Sequence, residues 1–170
     1  MKYLTKKDNR LFTKQEFRNR IMELQEKIAE MPASAKCGTE KFKNMFPLAH
    51  FHLPGMYMRS MYAPAGALIV TKIHKIDHPY FIMSGDCSIL TEKGIVRRKA
   101  PYYGITLAGT KRVVFVHKDT EWMTIHATQE TDLVKIEEDT ICKDFEEFDR
   151  FERERLSIRE RYLLKELEYV

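Results

Sequence analysis

Phe17, Ile21, Leu24, Ile28 and Met31 recur at alternating spacings of four and three, the apolar stripe of one α-helix. Thr13 and Glu16 stand just ahead of that stripe at the spacing of a capping box, in which the hydroxyl accepts from the backbone amide of the glutamate and the carboxylate reaches back. The helix is therefore predicted to begin at this pair, and Pro32 stops it. Residues 32–54 mix Gly, Pro, Ser and Lys with scattered aromatics and read as an irregular arm. From Gly55 to Glu138 the period changes to short β-rich runs broken by Gly, Pro and Asp. They cover 56–62, 67–73, 80–83, 87–91, 104–107, 113–116, 122–127 and 133–136. Short strands at near-regular spacing predict a sandwich or a barrel.

Beyond Asp139 the pattern turns helical again and densely charged. Phe145, Phe148 and Phe151 form one stripe, and Leu156, Leu163 and Leu167 another, while Ser157 and Glu160 make a second capping pair at which the helix is expected to break. Glu146 with Arg150, and Asp149 with Arg153, are i,i+4 pairs in the favourable order. The charge run reads as a solvated face, and the phenylalanine stripe as a face that docks on the rest of the chain. Three units result: 1–54, an N-terminal helix and arm; 55–138, a β-barrel; and 139–170, a charged helical tail.

Composition narrows the partners. The 170 residues carry 29 Lys plus Arg against 25 Asp plus Glu, a net charge of only +4, so nucleic acid is not indicated. Cys37, Cys87 and Cys142 stand far apart without CxxC spacing, which argues against a disulfide framework or a thiolate zinc site and for a reducing compartment. Met1 to Arg10 is polar, and no run of apolar residues is long enough to span a bilayer, so neither signal peptide nor membrane is expected.

One spacing carries candidate chemistry. Counting from Gly66, the chain places Lys72, His74, His78 and Gly85 where small β-barrels of the cupin type place Gly, five residues, His-x-His, three residues, Glu, six residues and Gly. Lys72 occupies the first His position and His78 the Glu position. The stretch from Leu107 through Gly109 and Arg112 to Val116 matches the second motif in spacing, with Arg112 where the last metal-binding His would stand. The chain thus resembles the cupin superfamily over roughly 56–138. It looks most like small cupin-like proteins of tailed bacteriophages, through Pro64, Gly66, Lys72 to Lys75, His78, Gly85, Ala100-Pro101, Gly109 to Arg112, His117, Asp119, Trp122, Thr124, His126, Thr128 and Asp132 to Glu138. The resemblance implies a mainly β, jelly-roll type barrel with flanking helices, a phage origin, and a location in host cytoplasm or virion.

The residues can be read without that resemblance. If Lys72 and His74 point into the barrel, alternation places Leu68 and Val70 inside with them and Ile69 and Ile73 outside. By the same phasing His78, Tyr80 and Ile82 face in, and Phe81 and Met83 out. Both faces are then apolar, so the terminal helices, a second subunit or both must cover the outside; a homo-oligomer is the favoured reading, with other virion proteins as further candidate partners. The pocket would hold Lys72, His74, His78 and Arg112. A catalytic divalent ion wants three His or carboxylate ligands, and charged Lys and Arg offer no lone pair, so no metal or other cofactor is expected. Were a metal held, His74 and His78 would hold it, with His126 as a third imidazole if its strand face pointed inward. The same cations suit a small anion, because Arg112 can grip a carboxylate or phosphate bidentately. Against that, Arg112 and Lys72 could pair with Asp77 or Glu121.

The functional expectation is a phage-encoded cupin-like protein without a complete ligand set, acting as a non-catalytic structural or accessory module. The alternatives are a protein that sequesters a small anion or nucleotide, and a metal-dependent cupin enzyme. His50-x-His52 lies in the arm without a carboxylate or Cys partner and reads as packing. Arg97-Arg98-Lys99 beside Tyr102-Tyr103 could touch phosphates and stack bases, and a basic hairpin edge that blocks strand addition explains it as well.

Overall fold

The computed structural model describes residues 12–37 and 39–167, of which 160–167 are described by backbone alone. Helix α1 (Lys14–Ala29) carries the expected capping box: Thr13 Oγ1 accepts from the Glu16 amide at 3.2 Å, and the Glu16 carboxylate accepts from the Thr13 amide at 2.8 Å. Its buried Phe17 and Ile21 pack with Val113, Val70, Leu90 and Phe145.

The stretch 32–54 contains more order than its composition announces. Thr39 caps a short helix α2 (Glu40–Met45), and strand β1 (Leu48–Leu53) turns through Gly55, at φ +78°, into β2 (Met56–Ala63). Ala49 to Leu53 alternate apolar and polar, but most of these side chains are exposed, so the alternation marks no core-facing side. What holds β1 is its pairing with β2, from Leu48 opposite Met61 to Leu53 opposite Met56.

The remaining strands are β3 (Leu68–Val70), β4 (Ile73–His74), β5 (His78–Thr91), β6 (Gly94–Lys99), β7 (Tyr102–Thr106), β8 (Val113–Ala127) and β9 (Ile141–Cys142). Every pairing is antiparallel. One sheet runs β1-β2-β8-β5-β6, with β3 on β8 and β7 on β5, and β4 pairs only with β9. The chain is mainly β with a helix at each end, as expected.

Two pairs of expected short strands are in fact single long ones. The runs 80–83 and 87–91 are both β5, and 113–116 and 122–127 are both β8. Ser84-Gly85-Asp86 and the polar stretch 117–121 look like breaks, but they form a bend with register shifts between Ile82 and Cys87. Such bulges turn a strand without ending it. Each long strand therefore serves several neighbours: β5 pairs with β7, β6 and β8, and β8 with β2, β3 and β5.

The run 133–136 is not a strand. It opens helix α3 (Leu133–Thr140), because the Asp132 side chain accepts from the amides of Val134 and Lys135 and fixes a helix start against the β preference of Leu-Val-x-Ile. Helix α4 (Phe145–Leu167) runs through Ser157 without the expected break. The side chains of Glu160, Leu163 and Leu167, and the segment Met1 to Arg10, lie outside the described residues. The phenylalanine stripe does dock: Phe148 is buried against Ile73 and Cys142, with Phe145 beside it. Asp149 turns to Arg18 of α1 rather than along its own helix to Arg153, accepting at 2.9 and 2.8 Å.

Inside the sheet, Ala63, Tyr80, Ile82, Cys87, Ile89, Val114 and Val116 form the central core, closed at one side by Phe46. Burial pushes the Cys87 thiol up to about 11, so it behaves as an apolar core group. Among the described residues no helix is long and apolar enough to cross a membrane.

Candidate functional site

His78 opens β5 and His126 lies near the end of β8. Because Tyr80 pairs with Thr124 in that antiparallel ladder, stepping two residues along each strand sets the two histidines opposite each other on one face. Their ring centroids are 4.6 Å apart. His74 arrives from a different layer. Strand β4 is held by β9, with Lys75 N donating to Thr140 O at 2.8 Å and Gly109 N to His74 O at 2.9 Å. These bonds hang the His74 ring over the other two, 4.0 Å from His78 and 5.3 Å from His126 between centroids. All three side chains are buried, and one ring nitrogen from each lies within 4.8 Å of the others.

Burial is the largest influence on each imidazole. It holds His74 far below the ordinary histidine range, helped by His78, His126, Arg59 and Lys72, and brings His126 down to about 3 with help from His78 and Arg59. His78 is lowered as well, chiefly by burial and then by Arg112 and Arg59, against an opposing hydrogen bond to Ile76 O at 3.3 Å. Three neutral imidazoles, each with a lone pair, therefore face one point at neutral pH. Nδ1 of His74 and of His126 is buried without a hydrogen-bond partner, a cost of about 1–3 kcal/mol apiece.

The strand phasing is as expected for His78, Tyr80 and Ile82, which face in, and for Phe81 and Met83, which do not. It fails around β3. Leu68 is exposed while Ile69 packs on the core, and Ile73 is wholly buried beneath α4. The chain leaves the strand after Val70, so alternation cannot be carried from Leu68 through Lys72 to His74.

Lys72, His74, His78 and Arg112 all line one cavity, but their charges are met differently. Lys72 Nζ forms an ion pair with Glu137 of α3, at the edge of the site. Arg112 stays inside, only 9% exposed, with its guanidinium 5.0 Å from the Tyr80 ring centroid and Nη2 at 3.5 Å from Ile105 O. Neither Asp77 nor Glu121 pairs with it. Asp77 accepts from the Ala108 amide at 2.7 Å, and Glu121 from Ser60 Oγ at 2.8 Å. Beside the imidazoles, Arg112 lines a cavity of about 140 Å³ whose walls include Ile69, Val114 and Trp122.

No protein-family model matches the chain, and no curated protein matches it. Solved structures with a similar strand layout include KdgF from Halomonas sp., at 12% identity and a TM-score of 0.44 over 52% of this chain and 83% of that one. The Cupin_2 domain of an XRE-family transcriptional regulator from Enterobacter cloacae gives 7% identity and 0.43 over 51% and 99%. A cupin-2 domain protein from Shewanella frigidimarina gives 10% and 0.39 over 46% and 76%. Likeness at this level assigns neither activity nor ligand.

Arg59 is the site residue that the motif spacing does not reveal. It sits on β2 opposite Thr124, and with Met61 and Ala63 it lines the cavity. An arginine in phase with Tyr57, Met61 and Ala63 along one strand is the available signal. The other candidates are engaged elsewhere. His50 Nδ1 is 2.8 Å from Tyr57 Oη, and the Tyr57 ring stacks on His126 at 6.1 Å. Arg97 holds Asp86 bidentately at 2.8 Å and Arg98 lies over Tyr102, both on the edge strand β6.

Proposed function

We propose that this chain forms a cupin-like chamber that holds one divalent transition-metal ion on His74, His78 and His126. The observation that carries the reading is the meeting of three buried, neutral imidazoles whose nitrogens lie within 4.8 Å, two of them with an orphaned buried Nδ1. Nitrogen ligands bind such ions at about 2.1 Å, so small side-chain adjustments suffice for one ion to satisfy all three. Two arguments against a metal weaken in this arrangement. The ligand count rises from two to three once His126 shares the inner face, and the Lys72 charge is neutralised by Glu137. An ion with three protein ligands keeps an open position and would supply Lewis acidity to a small molecule there. The chain itself buries all three rings, and Tyr57 packs against that of His126.

The test is uptake of Co²⁺ and Zn²⁺ by chelator-stripped protein, followed by elemental analysis and by the Co²⁺ absorption spectrum. One ion per chain is expected, bound tighter than about 10 μM and lost on His126→Ala. No uptake at that affinity by folded protein would sink the reading.

A further inference from the structure

We infer that the cavity beside His74 and His78 takes a compact organic anion, a carboxylate or phosphate head on an apolar body of about benzene size, with the head gripped by Arg112 and Arg59. This deepens the metal-chamber reading and rests on it for the neighbouring ion, but the two arginines act on the ligand with or without that ion.

The cavity is lined by Arg59, Arg112, Lys72, His74 and His78 and by no aspartate or glutamate among the described residues. Lys72 is spent on Glu137, whereas neither arginine has an acidic partner among the described residues. A buried guanidinium without a counter-charge is expensive, and it cannot escape by losing its proton as a lysine can. Tyr80 offers Arg112 its ring face and a hydroxyl rather than a counter-charge, and Nε of Arg112 is buried with no hydrogen-bond partner. An arginine held this way, in a space large enough for a guest, is complementary to a carboxylate or phosphate. A divalent ion on the imidazoles would add positive charge to the same chamber and strengthen its demand for an anion.

Shape narrows the class. The cavity measures about 140 Å³, and its apolar walls include Ile69, Val114, Val116, Trp122 and Met61, with Thr106, Thr120 and Thr124 among the polar ones. An apolar protein cavity of about 150 Å³ accommodates benzene. The part of the guest that the cavity encloses is thus one ring or a short branched chain beside the acid head.

Calorimetric titration of benzoate, phenyl phosphate, benzamide and inorganic phosphate tests this, each into chelator-stripped and into Zn²⁺-loaded protein. Benzoate or phenyl phosphate should saturate one site in both forms, and the stronger of them names the head group. Benzamide and inorganic phosphate should bind at least about tenfold more weakly, because one lacks the charge and the other the apolar body. Arg112→Met should cost the benzoate or phenyl phosphate affinity at least about tenfold, as should Arg59→Met if the first variant fails to fold. Anion binding without Zn²⁺ uptake leaves this inference standing and removes the metal, whereas Zn²⁺ uptake with no anion binding in either form overturns the inference alone. Benzamide binding as tightly as benzoate would also overturn it.

Discussion

Arg18 on α1 reaches Asp149 on α4 with one guanidinium nitrogen at 2.9 and 2.8 Å from the two carboxylate oxygens, while the ring of Phe145 lies 4.4 Å from its central carbon. The partners are unequally placed: the Arg18 side chain is 6% exposed and that of Asp149 47%. Removing the acid strands a buried cation, whereas removing the cation leaves an acid that water can serve. Asp149→Ala should therefore cost about 2–3 kcal/mol in urea unfolding and Arg18→Met less than about 1. Equal losses, or the reverse order, would show that the contact between the two helices rests on packing rather than on this pair.

Gly85 separates two kinds of glycine. Its φ of +95° coincides with a backbone approach so close that a Cβ would stand 2.3 Å from Thr120 Oγ1 and 2.4 Å from the Asp119 carbonyl oxygen. Gly66, at φ +85°, has nothing within 4 Å of the same position. Gly66→Ala should cost about 1 kcal/mol, from backbone strain alone, and Gly85→Ala about 2–4 because the β5 bend must also shift. Thermal melts of the two variants measure the gap, and similar melting temperatures would refute it.

Lys111 supplies a pH signature. It is buried with Nζ donating to Thr71 O at 3.0 Å, and desolvation pulls its pKa down to about 8. A lysine in the unfolded chain titrates near 10.4, so between these values the unfolded state holds a proton that the folded state has released. This group's contribution to stability therefore rises with pH across that window, and below it the full cost of burying the charged amine is felt, at most about 3 kcal/mol. Lys111→Met should be more stable than the parent near pH 7 and lose that advantage by about pH 10. A stability difference that stays constant with pH would be the contrary result.

Much of this was legible in the chain, for physical reasons that differ by residue. The Thr13 and Glu16 cap, the inward phase of His78, Tyr80 and Ile82, and the docking of Phe148 follow from local chemistry or strict periodicity. Arg18 and Asp149, the union of His126 with His74 and His78, and Arg59 depend on register and on layers far apart in sequence, which no window along the chain contains. Lys72 shows the limit most plainly. Spacing places it in the pocket, whose wall it does line, but its ion pair with Glu137 of α3 depends on a helix far along the chain.

Association of copies remains a proposal, which the outer face of β5 and β7 supports. Phe81 stands opposite Tyr103 in that ladder, and Met83 and Ile105 lie in phase with them. Tyr103 is 78% exposed and Ile105 65%, so a contiguous apolar strip faces water in the single chain. A dimer or larger species is expected by sedimentation at micromolar concentration, and Phe81→Glu should return it to monomer with its circular dichroism unchanged. A 20.2 kDa species alone in the parent would refute the proposal.

The lone pairing of β4 with β9 has a consequence for the order of events in biosynthesis. His74 is fixed by Ile141 and Thr140, and Ile73 beneath it by Phe148, so the site is held by segments that leave the ribosome well after all three histidines. A nascent chain that has already released His126 still has one imbalance: the β5 and β8 imidazoles can pair, while the His74 strand has the Gly109 amide but not yet its β9 partner. The hold on His74 therefore cannot be complete until residues 140–148 have been made.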